Sequence, residues 1–111
     1  MSEAHRLYVK HAVGSRMLLD TKELGGFLHL SEVPGGWRFE ISGVDLDAAR
    51  EIADFKDELN LFYLEEGEEE GEEPQKWWYY GHKTPAIDYE ANGRVLHITV
   101  DTRKAYSNRH V

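Results

Sequence analysis

Hydrophobic and polar residues alternate most regularly around a proline–glycine turn. Trp37, Phe39 and Ile41 alternate with Arg38, Glu40 and Ser42, the period of a strand with one buried face. Residues 27–33 precede them across Pro34-Gly35-Gly36. Proline presets φ and glycine accepts positive φ, so a turn is predicted there. Pairing Val33 with Gly36 sets Leu30 beside Phe39 and Leu28 beside Ile41 on one side, with His29 opposite Glu40 on the other. Register and apolar pattern agree, which predicts a hairpin; a bulged three-residue loop is the alternative. Asn92-Gly93 predicts a second hairpin between 87–91 and 94–101. A two-residue turn there pairs Ala91 with Arg94, Tyr89 with Leu96 and Ile87 with Ile98. It also places Asp88 opposite His97 on the outer face.

Between these hairpins the period lengthens. Leu46, Ala49, Ile52, Ala53 and Leu59 follow helical spacing, and most charged residues lie on the other side. A helix over 45–60 is predicted, with Asp45 as N-cap, Val44 and Ala49 as a hydrophobic staple, and Asn60 as its end. Leu61 to Leu64 is an uninterrupted apolar run, which reads as a strand buried on both faces. Lys76-Trp77-Trp78-Tyr79-Tyr80 reads the same way. The strand–helix–strand order admits a right-handed crossover with 61–64 parallel to 37–42. Near the N-terminus, residues 5–13 alternate weakly through Leu7, Val9 and Val13. Residues 17–24 form a helical turn or an irregular strand before Gly25-Gly26. The tail at 102–111 is polar and basic and is expected to fray. The expected fold is one α+β domain over 1–111: a mostly antiparallel sheet of five or six strands with one main helix packed on one face.

Composition narrows the function. A chain of 111 residues fits one domain. With no cysteine, disulfides and thiolate metal sites are excluded. No secretory h-region is visible, and no apolar stretch approaches the ~20 residues that span a bilayer. A cytoplasmic protein without a membrane partner is expected. The formal charge is −8, and seven of the nine residues from Glu65 to Glu73 are glutamate, leaving the remainder at −1. The run at 65–74 is expected to be a flexible acidic loop.

The candidate chemistry is sparse. The chain carries no HExxH, phosphate loop, GxSxG elbow or dinucleotide fingerprint, so no catalytic residue, metal ligand or cofactor is assigned. Asp88 opposite His97 resembles half of an acid–base relay, but an ordinary cross-strand pair is the simpler reading. His29 with Glu40 reads alike. The candidate partner-binding residues are Glu65, Glu66, Glu68, Glu69, Glu70, Glu72 and Glu73, with Trp77, Trp78, Tyr79 and Tyr80. An acidic rim beside aromatic anchors is a common composition for a recognition surface.

The expected function is a small non-enzymatic inhibitor that engages a basic surface of a partner protein. By analogy with immunity proteins and phage-encoded inhibitors, that partner would be a nucleic-acid-binding protein, reached by mimicry of nucleic-acid charge. Direct nucleic-acid binding through the acidic loop is disfavoured. One alternative is a small enzyme or small-molecule binder using Tyr63, Tyr80, His82 and His97. Another is a structural subunit of a larger assembly, such as a phage particle. Basic residues also cluster at both ends: His5, Arg6, Lys10, His11 and Arg16, then Arg103, Lys104 and Arg109. Brought together they would form a positive patch able to support homo-oligomerisation or nucleic-acid contact; scattered solubilising charge is the simpler reading.

Overall fold

Alternation dominates the fold more than the sequence pattern suggests. A computed structural model describes residues 5–12, 14, 16–24, 26–65 and 75–106. Among them are nine strands: β1 (His5–His11), β2 (Met17–Asp20), β3 (Leu28–Val33), β4 (Gly36–Ser42), β5 (Leu59–Glu65), β6 (Gln75–Tyr80), β7 (Ala86–Glu90), β8 (Val95–Val100) and β9 (Thr102–Tyr106). One helix, α1 (Leu46–Asp54), lies between β4 and β5. Short 3-10 turns occupy Thr21–Glu23 and Lys56–Glu58. The strands form two sheets, in the orders β2-β1-β5-β6-β9 and β3-β4-β8-β7. Every strand pairing is antiparallel. The chain is therefore a single α+β domain, but with two sheets where one of five or six strands was expected.

The two predicted hairpins have the predicted pairings. Val33 pairs with Gly36, Leu30 with Phe39 and Leu28 with Ile41. Tyr89 pairs with Leu96 and Ile87 with Ile98. In the first, Gly35 carries the positive φ of 84°. In the second, the left-handed residue is Arg94, at φ 54°, and Gly93 is not among the positive-φ residues. Residues 91–94 form a longer turn in which the Arg94 N–H donates to the Ala91 carbonyl at 3.3 Å. A turn ended by one left-handed residue matches strand twist as a two-residue primed turn does.

The helix starts as predicted and stops early. The Asp45 carboxylate accepts from the Ala48 N–H at 2.8 Å, and Val44 and Ala49 are both buried. Phe55, at φ −105° and ψ 22°, leaves the helical region. Leu59 fits helical spacing from Ile52, but it also alternates with Leu61 and Tyr63. The strand period wins because Leu59, Leu61 and Tyr63 all enter the core from β5. β5 then lies between β1 and β6, antiparallel to both, and the parallel crossover to β4 does not form. The tail also departs from expectation: Thr102–Tyr106 is β9, hydrogen-bonded to β6.

The two sheets face one another. Phe39 and Ile41 of β4 and Leu96, Ile98 and Val100 of β8 meet Leu7, Val9, Leu61, Tyr63 and Tyr79 in one buried cluster. Phe39 packs edge-on to Tyr79 at 4.8 Å and to Tyr63 at 5.7 Å between ring centroids, a geometry the ring quadrupoles favour. Burial pushes the Tyr63 phenol up to about 12 and raises that of Tyr79. α1 lies against β2 and β7, one edge strand from each sheet, and inserts Ala49 and Ile52 between them. At Asp101 the chain passes from β8 in one sheet to β9 in the other. The Asp101 carboxylate accepts from the N–H groups of His82 and Lys83 and the hydroxyl of Thr102. These bonds, the His82 one foremost, hold its pKa below the usual carboxylate range.

Candidate functional site

The core takes one face of β1, β5 and β6, and the two-residue period dictates what the opposite face carries. That outer face presents Arg6, Tyr8 and Lys10 from β1, then Asn60, Phe62 and Leu64 from β5. β6 adds Lys76, Trp78 and Tyr80, and β9 adds Thr102 and Lys104. The register aligns them into rows running across the strands. Tyr8, Phe62, Trp78 and Lys104 form the central row. Arg6, Leu64 and Lys76 lie on one side of it. On the other side Lys10 pairs with Asn60, and Tyr80 with Thr102. Tyr8, Phe62, Trp78 and Tyr80 each keep part of their surface in solvent.

Local contacts order these side chains. The Trp78 and Tyr80 rings lie 4.5 Å apart at 33°, and His82 packs edge-on to Tyr80. Trp78 Nε1 donates to Asn60 Oδ1 at 3.0 Å, which fixes the indole. The Arg6 guanidinium sits 4.4 Å from the Tyr8 ring centroid, and Lys10 Nζ sits 5.9 Å from that of Phe62. Arg6 also grips Asp20 through two bonds, at 2.9 and 2.6 Å. That bond holds the Asp20 carboxyl below its ordinary pKa. The rows thus hold four cations, and the adjoining β2 edge contributes one carboxylate already paired with Arg6.

The predicted aromatic group divides. Trp78 and Tyr80 point outward, whereas Trp77 and Tyr79 belong to the inner face. The pleat of β6 forbids all four from sharing a surface. Tyr79 is fully buried. Trp77 Nε1 donates to Glu65 Oε1 at 3.1 Å. Arg103 stacks over Trp77 and Trp37, 4.2 and 4.8 Å from their centroids, and donates to the Tyr79 hydroxyl at 3.2 Å. Glu65 is therefore engaged within the domain. Glu66, Glu68, Glu69, Glu70, Glu72 and Glu73 lie outside the described residues, on the connection from β5 to β6.

A second polar cluster lies on the outer face of the four-stranded sheet. His29, Glu40, His97 and Asp88 align across β3, β4, β8 and β7. His97 is only 9% exposed. Arg38 lies 3.1 Å from its Nδ1, and a guanidinium can only donate. Nδ1 is thus the acceptor, and the ring proton sits on Nε2. That nitrogen faces Glu40 and Glu90, each at 3.9 Å, beyond hydrogen-bond range. Asp88, the relay partner considered from sequence, supplies none of these contacts. Among the described residues no group of three His, Cys, Asp or Glu is placed to hold a metal ion. Tyr63, Tyr80, His82 and His97 do not converge: Tyr63 is in the core, Tyr80 and His82 adjoin the aromatic face, and His97 lies on the other sheet.

Trp78 and Tyr80 are among the sequence candidates; Phe62 and Tyr8 are not, because an uninterrupted apolar run reads as a strand covered on both faces and the first strand alternates only weakly. The available signal was the connection between the two apolar runs. Two apolar strands joined by a polar, glycine-containing run form a hairpin, and its outward residues must be neighbours. No family model, curated protein or solved structure matches the chain. The class is therefore defined by architecture and surface: a two-sheet antiparallel α+β domain with a partly exposed aromatic face bordered by cations.

Proposed function

We propose that the protein is a non-enzymatic recognition module that binds through the outer face of its five-stranded sheet. The observation that carries this reading is the register row Tyr8–Phe62–Trp78, with Tyr80 stacked beside Trp78 and all four rings partly in solvent. Tryptophan and tyrosine are the side chains that most often anchor interfaces, because they bury a large area at little entropic cost. Grouped on one face, they offer a partner a contiguous apolar contact, and such patches mark interaction sites. The cations around them set charge specificity.

A second reading follows from the glutamate run: a carboxylate block of this density would steer a basic protein surface toward the molecule, as an immunity-type inhibitor does. One experiment separates the two. A photoreactive phenylalanine is placed at Trp78, or at Thr99 on the other sheet as a control, in cells of the source organism. Adducts from position 78 but not 99 are expected. Their absence would remove the aromatic face from the account. Replacing 65–73 by Ser/Gly should leave those adducts in place; their loss would favour the steering reading.

A further inference from the structure

Building on the recognition-face reading, we propose that the ligand is single-stranded nucleic acid, with bases stacked on the Trp78–Tyr80 pair beside Phe62 and Tyr8, and phosphates held by Lys10, Lys76 and Lys104. Three features of the face lead there. The rings form a band across the strands, flanked by Arg6 and Lys76 on one side and Lys10 on the other, with Lys104 at its end. A ligand running along that band meets the Trp78–Tyr80 pair in the middle, with Arg6 over Tyr8 and Lys10 over Phe62 and positive charge on both flanks, which is complementary to unpaired bases on a phosphate backbone. Arg6 is committed to Asp20, so the three lysines supply the charge.

Other occupants fit less well. A duplex hides its base faces in the stack and leaves the rings nothing to stack on. A second copy of this chain, apposed by a twofold axis along the central row, would lay one cationic flank over the other. An acidic peptide would satisfy the lysines without matching the stacked Trp78–Tyr80 pair. The formal charge of −8 opposes a polyanion, but seven of those charges lie in the run that begins at Glu65. Lys10 pairs with Asn60, five residues back along β5, or roughly 17 Å at strand rise. That is about two Debye lengths at physiological salt, so Lys10 is largely screened from Glu65, whereas Lys76 pairs with Leu64 beside it.

The test uses the full chain and labelled oligo-dT and oligo-U of about 12 nucleotides, followed by fluorescence anisotropy across a salt series. Single strands should bind, and the matched duplex should bind less tightly. The triple variant K10Q/K76Q/K104Q, checked for fold by circular dichroism, should bind more weakly and flatten the log–log salt slope by about 2, or ~0.7 per lost phosphate contact. Trp78→Ala should weaken binding about fivefold or more, with Trp78→Phe recovering part of the loss. Arg38→Gln, on the other sheet, should change nothing. Equal binding of the two oligonucleotides would assign recognition to base and phosphate; preference for oligo-U would add a 2′-hydroxyl contact. No binding of either at low salt, or binding unaffected by the triple variant, overturns the proposal. Capture of poly-glutamate without oligonucleotide binding would assign the face to an acidic protein. In either failure the Trp78 adducts decide separately whether the recognition face itself stands.

Discussion

Single side chains in this protein carry strain or charge that titration and substitution can read. Arg94 sits at φ 54°, where a β-carbon is disfavoured by ~1–2 kcal/mol. Arg94→Gly relieves that strain but loosens the unfolded chain, so a net stabilisation of roughly 0.5–1 kcal/mol is expected in urea unfolding. Asp20, lowered chiefly by its bond from Arg6, binds fewer protons folded than unfolded. Its contribution is complete above the ordinary aspartate value and is lost as pH falls below about 4. Asp20→Asn should therefore be less stable than wild type at neutral pH, and the gap should close in acid. Tyr63 has the opposite sign. Its pKa is raised by burial to about 12, so the folded state keeps a proton that the unfolded chain releases near 10. Stability should fall as pH rises between those values, and Tyr63→Phe should reduce that alkaline loss in a pH series of urea melts.

The elements that were legible are those specified by neighbours in sequence. Both hairpins carry their turn chemistry and apolar register within about a dozen residues, and the helix start needs only Asp45 and the staple. Asp45→Ala should cost about 1 kcal/mol, measured by thermal or urea unfolding, because the Ala48 N–H loses its acceptor. The helix end was not legible, because Leu59 satisfies both periods and only the pairing of β5 decides between them. The aromatic face fell at the same scale. Phe62 and Trp78 become neighbours once β5 and β6 pair, and Tyr8 joins them only when β1 adds to the other side of β5. β1 and β5 are far apart in the chain, and nothing local specifies their partnership.

For the whole molecule, the shared core predicts one cooperative unit. Phe39 touches Tyr63 and Tyr79 across the gap between sheets, so neither sheet has a core of its own. Phe39→Ala should cost about 3–5 kcal/mol, with backbone and aromatic circular dichroism still melting together. Separate transitions would show two independently stable sheets. Residue order alone settled the α+β class, the registers of both hairpins, the helix cap and the concentration of negative charge in one run, because each depends on interactions over a few residues. Tertiary structure decided which strands are neighbours, that β8 and β9 part company at Asp101, and which half of each aromatic strand faces outward. Those outcomes follow from burying one face of every strand at once, a condition imposed by the packed whole and not by any segment of it.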